Sequence, residues 1–178
     1  MSVVAVTVVA MFKIDRATAA DAAALTDLMH SSSAYQGRYA SILEGYAVTA
    51  DYLRQHQVLV ARGPSGPVGF AALTDAELDL LFVADDAQGT GLGAWLVRHI
   101  LDAARENGLA EVRVVSHPPA VRFYERMGAR QIGTVPPKPP RISWSRPELV
   151  FSLPQSGNNS APAREITAGQ GDRRRIRS

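Results

Sequence analysis

The chain has 178 residues, of which 46% are hydrophobic and 20% charged, and its formal net charge is +2 at pH 7. This length and composition predict one globular domain that buries about 70% of its unfolded surface. The absence of cysteine excludes disulfides, thiolate metal sites and a cysteine nucleophile. The histidines also lack the i,i+4 spacing of a helical zinc site, and we expect no metal; they are His30, His56, His99 and His117.

The two ends of the chain differ in composition from the middle. Residues 1–11 are apolar but shorter than the roughly 20 residues that span a bilayer, and no basic residue precedes Lys13 as a signal peptide requires. We expect an N-terminal extension, either an extra strand or residues ahead of a true start at Met11. Residues 154–178 are poor in apolar side chains and predict a disordered basic tail, with a nucleic-acid or acidic-lipid contact as the alternative. The domain itself is expected over 12–153, in the cytoplasm and away from membranes.

The first half of the domain predicts strands and helices in alternation. Residues 12–17 alternate as a strand does, and Thr18 with Asp21 forms the start signal of a helix that runs to about His30. Residues 31–45 are rich in tyrosine and lack periodicity, which predicts a loop. Further elements are a short helix over 49–55 and two strands over 57–62 and 67–73, joined by a turn at 63–66.

The second half continues the alternation. A strand is predicted over 77–83, a helix over 91–107 and a strand over 111–115. A helix over 118–127 has proline in its first turn and glycine just past its end. Strands over 131–135 and 148–153 are predicted to pair as a terminal hairpin around a proline-rich segment. This order predicts an α/β fold with a mixed sheet.

The turn at 88–93, Gln-Gly-Thr-Gly-Leu-Gly, lies between a predicted strand and a predicted helix. The N–H groups of a first helical turn lack intrahelical partners and attract anions, and glycine lets a phosphate approach the backbone. No lysine follows as in a Walker loop. The G-x-G-x-G spacing also differs from the dinucleotide fingerprint, and no carboxylate ends the next strand. The turn therefore predicts a phosphate-bearing, nucleotide-like ligand.

This turn resembles the coenzyme A loop of the GCN5-related N-acetyltransferase (GNAT) superfamily, Q/R-x-x-G-x-G/A, at every fixed position. Residues 120–128 resemble that family's A-x-x-F-Y-E-x-x-G segment, although His117 replaces a frequent asparagine and Ala129 replaces a phenylalanine. The resemblance implies a GNAT-like mixed central sheet flanked by helices, in which a splayed strand pair forms the CoA cleft. It also implies acetyl-CoA as cosubstrate.

The resemblance further implies the residues that bind CoA. A bulge in the strand at 77–83 is expected to free a backbone N–H near Leu81 for the thioester oxygen, while the following residues run alongside pantetheine. The predicted cofactor-binding residues are Leu81, Phe82, Val83, Gln88, Gly89, Thr90, Gly91, Leu92, Gly93, Ala94, His117, Ala120 and Phe123.

Acyl transfer to an amine needs a proton acceptor, because a lysine-like amine has a pKa near 10.4. Glu77 lies eleven residues before Gln88, where several family members carry a general base, and Asp79 lies on the same predicted face. Tyr124 matches the family's candidate acid for the leaving thiolate. The structural alternatives are two solvated carboxylates on a strand that points Leu78, Leu80 and Phe82 inward, and a tyrosine that packs in the core.

The resemblance implies that the acceptor lies between the first helices and the last hairpin, where aromatic rings can wall a pocket and arginines can bind a carboxylate or phosphate. Those segments hold Tyr35, Arg38, Tyr39, Glu44, Tyr46, Lys138, Arg141, Trp144 and Arg146, and the candidate residues among them are Tyr35, Arg38, Tyr39, Arg141 and Trp144. The predicted function is transfer of an acetyl group from acetyl-CoA to a primary amine of a small molecule or protein, by direct attack in a ternary complex. The alternatives are a longer acyl-CoA or aminoacyl-tRNA donor, or a non-catalytic CoA-binding module. Otherwise no nucleic-acid partner is expected, and a homodimer is left open.

Overall fold

The computed structural model describes residues 11–154, which contain four α-helices and one seven-stranded sheet. The strands are β1 (Lys13–Arg16), β2 (Gln57–Gly63), β3 (Gly66–Thr74), β4 (Glu77–Val83), β5 (Glu111–Val115), β6 (Arg130–Val135) and β7 (Arg146–Ser152). The helices are α1 (Ala22–His30), α2 (Ala50–Gln55), α3 (Leu92–Glu106) and α4 (Val121–Arg126). The predicted apolar extension, except Met11, and the predicted basic tail, except Pro154, lie outside the described residues.

The predicted α/β fold and its element order are confirmed, and the differences lie at the ends of elements. The capping signal before α1 is present, because the Thr18 N–H donates to Asp21 Oδ2 at 2.8 Å. Asp21 ends a 3₁₀ turn that precedes α1, and a similar turn precedes α4. The predicted loop at 31–45 is wrong in part, because 3₁₀ helices occupy Ser33–Tyr35 and Gly37–Leu43. Such short turns follow no hydrophobic period that a sequence would reveal.

The sheet has the order β1-β2-β3-β4-β5-β7-β6, with β4 and β5 as parallel neighbours. The predicted terminal hairpin of β6 and β7 is confirmed. Within the sheet β7 lies between β5 and β6 and pairs with both. Among the described residues β4 and β5 pair only at Glu77 and Arg113. Beyond that pair β4 stays with β3 while β5 follows β7. The two strands therefore splay apart, which is the cleft that the resemblance implied.

A β-bulge in β4 changes which face its side chains cover. Leu73 of β3 pairs with Leu78, but Ala72 pairs with Leu80, so Asp79 is the extra residue. Leu78 consequently packs on the α3 face of the sheet, whereas Leu80 and Phe82 pack on the α1 face. The expected bulge exists, but it lies two residues before Leu81. The prediction that Leu78, Leu80 and Phe82 share one inward direction is therefore wrong.

Two apolar cores, one on each face of the sheet, hold the strands in place. Leu92, Leu96 and Ile100 of α3 form the centre of one core, and Leu25 and Met29 of α1 lie in the other. No helix within residues 11–154 has the length and apolar character needed to cross a membrane. In the same part of the chain, no cluster of three histidine or carboxylate side chains is arranged to hold a metal ion.

Candidate active site

Two cavities lie along the cleft between β4 and β5. The first, of about 490 Å³, lies between the glycine-rich turn and α4, and we call it the loop cavity. The second, of about 630 Å³, lies between β4 and the segment that leads into β7, and we call it the hairpin cavity. The residues that line both cavities form what we call the junction: Tyr35, Leu81, Phe82, His117 and Tyr124.

The glycine-rich turn exposes backbone to the loop cavity. Gly89 and Gly91 have φ angles of +73° and +90°, in the left-handed region that favours glycine. A Cβ built on either residue meets no atom within 4 Å, so the turn faces open space. Gly91 directly precedes α3, whose first N–H groups lack intrahelical partners. The turn and the helix N-terminus together make a site suited to an anion.

Side chains of the turn fix its shape. Gln88 Nε2 donates to the Val83 carbonyl oxygen at 3.2 Å and to Asp85 Oδ1 at 3.0 Å. Thr90 Oγ1 donates to the Ala87 carbonyl oxygen at 2.6 Å, and Leu92 is buried in the core. Thr90 and Leu92 do not line the loop cavity, so their side chains shape the turn and do not face a ligand there.

The loop cavity brings most of the predicted cofactor-binding residues together. Its lining includes Leu81, Phe82, Val83, Gln88, Gly89, Gly91, Gly93, Ala94, His117, Ala120 and Phe123. The structure adds residues that the motif did not single out: Ser32, Ala34, Tyr35, Arg126 and Met127. Of these, Arg126 contributes a cation to the lining of the loop cavity. The sequence feature that could have pointed to Arg126 is its place on the same helix as Phe123 and Tyr124.

Glu77 lines the hairpin cavity but is ion-paired. Its Oε2 lies 2.6 Å from Arg113 Nη1, and Arg113 also binds Glu148 on β7. The hydrogen bond that Arg113 donates to Glu148, followed by the one it donates to Glu77, raises the pKa of the Arg113 guanidinium, so this cation is permanent. Sequence reasoning missed Arg113 because only the pairing of β4 with β5 brings it beside Glu77.

Asp79 also lines the hairpin cavity, and its partner is neutral. The Tyr52 hydroxyl of α2 donates to Asp79 Oδ2 at 2.6 Å. Burial, followed by the nearby Asp79 carboxylate, raises the pKa of Tyr52, so the phenol stays protonated and continues to donate. Burial likewise raises the pKa of Tyr46, which lies in the same group and lines the cavity. The bulge thus directs Asp79 toward α2.

The junction is neutral near pH 7. Burial raises the pKa of Tyr124, and Tyr35 adds to this effect, so the Tyr124 phenol keeps its proton. Burial raises the pKa of Tyr35 to about 12 and lowers the pKa of His117. The His117 ring stacks on Tyr35 with a centroid distance of 4.7 Å. A protonated phenol and an uncharged imidazole therefore lie together where the cavities meet.

The predicted acceptor residues fall into two groups. Tyr35 and Arg141 line the hairpin cavity, whereas Arg38, Tyr39 and Trp144 do not. The Tyr39 ring lies edge-on to Trp144 at a centroid distance of 4.9 Å, and Arg38 lies 5.2 Å from the centre of the Tyr39 ring. These three residues form a layer behind the cavity wall.

Arg141 acts as a cross-link between two segments of that wall. Its Nη2 donates to the carbonyl oxygens of Ile42 at 3.2 Å and Glu44 at 2.6 Å. The guanidinium is therefore engaged by backbone carbonyl oxygens. The cavity also includes Lys138 and Arg146, which lie in the predicted acceptor segment but were not among its five candidate residues.

The fold and the cleft define a class: a mixed α/β domain with adjoining cavities for two ligands, one of them beside an anion site. The sequence profile of the acetyltransferase (GNAT) domain matches residues 31–136. The chain therefore belongs to the GNAT acetyltransferase family, and the resemblance drawn from the motifs is confirmed.

Similar proteins agree with this membership. The chain is 36% identical over 87 residues to the peptidyl-lysine N-acetyltransferase YjaB of Salmonella typhimurium and 37% identical over 67 residues to that of Escherichia coli. These matches cover 48% and 38% of this chain, and the chain spans 59% and 44% of the two relatives. The structure of YncA from Salmonella typhimurium, with its cofactor acetyl-CoA, has a TM-score of 0.64 and 18% identity over 84% of this chain and 98% of YncA. That likeness supports the fold.

Proposed function

We propose that this protein is an N-acetyltransferase that transfers the acetyl group of acetyl-CoA to a primary amine in a ternary complex. The observation that carries the proposal is the meeting of two cavities at a neutral junction. The loop cavity offers phosphate-binding N–H groups and Arg126, as CoA requires. The hairpin cavity offers room for an amine beside two carboxylates. The junction is then the place where thioester and amine meet.

Each chemical need of the transfer has a candidate group. The edge of β4 beyond Glu77 is not paired with β5 within the described residues, so a backbone N–H near Leu81 is proposed to stabilise the oxyanion. When the tetrahedral intermediate collapses, the C–S bond breaks and the Tyr124 phenol donates a hydrogen bond to the leaving CoA thiolate, which takes its proton from solvent. Because burial raises the pKa of Tyr124 above that of an ordinary thiol, near 8.5, the phenol keeps its proton and stays a donor.

Of the two carboxylates, we propose that Asp79 accepts the amine proton, directly or through water. Protonation of Glu77 would break an ion pair with Arg113, whereas protonation of Asp79 would break only a hydrogen bond from the neutral Tyr52 hydroxyl. The Glu77–Arg113 contact adds the Coulombic attraction of two opposite charges, which the contact between Asp79 and a neutral phenol lacks. Glu77 is then a positioning residue that holds Arg113 at the mouth of the cleft.

The names of the YjaB relatives make peptidyl-lysine one candidate acceptor. We propose it alongside amines of small molecules, because those relatives match this chain over only part of their length. We also propose the cytoplasmic location that we expected from the sequence, and we leave open whether the protein forms a homodimer.

The test is a titration of acetyl-CoA and free CoA into the purified protein, with NAD and ATP as controls. A ligand at a hundredfold its Kd stabilises a protein by about 2.7 kcal/mol, which raises Tm by several degrees. We expect a shift with both CoA species alone, followed by amine-dependent release of free thiol from acetyl-CoA. No shift with any CoA would overturn the proposal and favour the aminoacyl-tRNA donor. A shift without thiol release from acetyl-CoA or longer acyl-CoA, with any amine, would favour the non-catalytic module.

A further inference from the structure

Some of the charged side chains that line the hairpin cavity have hydrogen-bond or ion-pair partners, and others do not. Its two carboxylates each have a partner, since Glu77 binds Arg113 and Asp79 accepts from Tyr52. Arg141 is engaged by backbone carbonyl oxygens. Lys138 and Arg146 also line the cavity, and among residues 11–154 neither side chain has a hydrogen-bond or ion-pair partner. The cavity therefore presents two cations without a counter-charge.

Arg146 is the more informative of the two cations because it is partly buried. Within the described residues, the buried side-chain polar atoms without a hydrogen-bond partner are Arg146 Nε and Trp144 Nε1. A buried donor without a hydrogen-bond partner is destabilising, and more so when it is charged. Glu148, two residues further along β7, is bonded to Arg113 and does not neutralise Arg146. The Nη atoms of Arg146 are not among these buried atoms, so within the described residues they are left for an acceptor that a ligand brings.

The position of Arg146 is fixed by the sheet. Arg146 begins β7, where it pairs with Val135 of β6, and the neighbouring Pro147 carbonyl oxygen accepts from the Ser116 N–H at 2.9 Å. Ser116 directly precedes His117 of the junction. The guanidinium is thus anchored on a rigid strand near the place where the amine is proposed to react.

We propose that the acceptor amine carries a carboxylate, and that Arg146 binds this carboxylate with Lys138 as a second cation. The proposal rests on the proposed function and narrows its acceptor. A guanidinium binds the planar carboxylate through two parallel hydrogen bonds, which gives both affinity and orientation. A carboxylate held at Arg146 would direct the amine of the same molecule toward Asp79 and the junction. The same chemistry is available in a free amino carboxylic acid and in a peptide with glutamate beside its lysine.

The test compares acceptors that differ only in this charge. The first pair compares an amino carboxylic acid with its amide. The second pair compares a lysine peptide that has glutamate beside the lysine with the same peptide carrying glutamine there. We expect kcat/KM to be about tenfold or more higher for the acid member of at least one pair, through KM, as hydrogen bonds between charged groups imply. The pair that shows the preference identifies the source of the carboxylate.

Arg146→Gln is the variant that decides the assignment. It should raise KM for the acid about 10- to 100-fold and leave the amide's kcat/KM within about twofold. Arg130→Gln is the matched control, because it removes the same charge from the other end of the β6–β7 pair, where Arg130 pairs with Val150. It should leave the preference unchanged.

The outcomes separate this inference from the proposed function. Equal kcat/KM for acids and amides in the wild-type protein, or a preference that survives Arg146→Gln, overturns the carboxylate site while acetyl transfer stands. Absence of acetyl transfer to every amine overturns both. The acetyl-CoA-induced rise in Tm of Arg146→Gln should equal that of the wild type, which shows that the variant is folded and that its loop cavity is intact.

Discussion

The loop cavity and the hairpin cavity are built in different ways. The loop cavity is formed mostly by two short stretches, 81–94 and 117–127, and its anion site consists of backbone N–H groups. The hairpin cavity draws on segments around 42–46, 77–82 and 138–146, and its chemistry lies in charged side chains. We propose that the first binds the phosphates of CoA and that the second selects the acceptor. We therefore expect that either cavity can be disabled while the other stays intact.

The largest effect is expected from Gly91→Val, which should abolish acetyl-CoA binding. The variant forces a branched side chain into the left-handed φ of +90° and places it where a phosphate approaches. Gly108→Val is the matched control, because Gly108 has a φ of +77° just beyond the other end of α3, away from both cavities. Both variants should lose about 1 to 3 kcal/mol of stability from strain. Only Gly91→Val should lose the acetyl-CoA-induced rise in Tm. A retained rise would refute the anion site.

Tyr124→Phe tests the junction between the cavities. We expect kcat to fall about 10²- to 10³-fold, which is the range for loss of one hydrogen-bond donor to a developing negative charge, while the Kd for acetyl-CoA stays within about twofold. Because burial raises the pKa of Tyr124, the wild-type enzyme should show no loss of rate from phenol ionisation up to pH 10. The measurement is the kcat–pH profile of both proteins. An unchanged kcat would assign Tyr124 to core packing.

The next prediction distinguishes the roles of the two carboxylates in the hairpin cavity. Asp79→Asn should lower kcat about 10²-fold with little change in the Kd for acetyl-CoA, because it removes the proposed proton acceptor. Glu77→Gln should act less on kcat and should lower Tm, since Arg113 then keeps only Glu148 as a partner. Steady-state kinetics and thermal unfolding of both variants check this order. The reverse order of kcat effects would make Glu77 the base.

The smallest effects are expected from two arginines, one for each cavity. Arg126→Gln should raise the Kd for acetyl-CoA about tenfold at low salt and less at high salt, because an exposed charge contact is screened. Arg141→Gln should raise the acceptor KM a few-fold, because it releases the contacts to Ile42 and Glu44 that hold the cavity wall. Isothermal titration and acceptor kinetics measure the two. If each variant changed the Kd for acetyl-CoA and the acceptor KM equally, the two cavities would not be independent.

Much of the loop cavity was predictable because its residues are close in sequence. The turn at 88–93 and the segment at 120–128 each carry a spacing that local geometry requires, such as glycine at a positive φ. Arg126 was missed although it lies on the same helix as Tyr124, because no fixed spacing marks it. The position of the bulge at Asp79 was also missed, because a bulge depends on the register with β3, which alternation within β4 does not encode.

The hairpin cavity was less predictable because long-range pairing sets its charges. Arg38, Tyr39 and Trp144 were predicted from composition, yet they pack against one another behind the wall. Arg141 looked like a ligand-binding cation until its contacts with backbone carbonyl oxygens far along the chain were known. Whether an arginine is free or engaged depends on partners that the sequence does not place.

The sequence by itself determined the family, through the resemblance of residues 88–93 and 120–128 to its motifs. It also determined the order of the elements and the glycine-rich turn, because these follow from periodicity and from backbone conformations that only certain residues adopt. The tertiary structure alone decided that β7 lies between β5 and β6, that Arg113 holds Glu77, and that Arg146 is left without a counter-charge. The physical reason is that strand order and ion pairing join residues that are distant along the chain, so their energies depend on the completed fold.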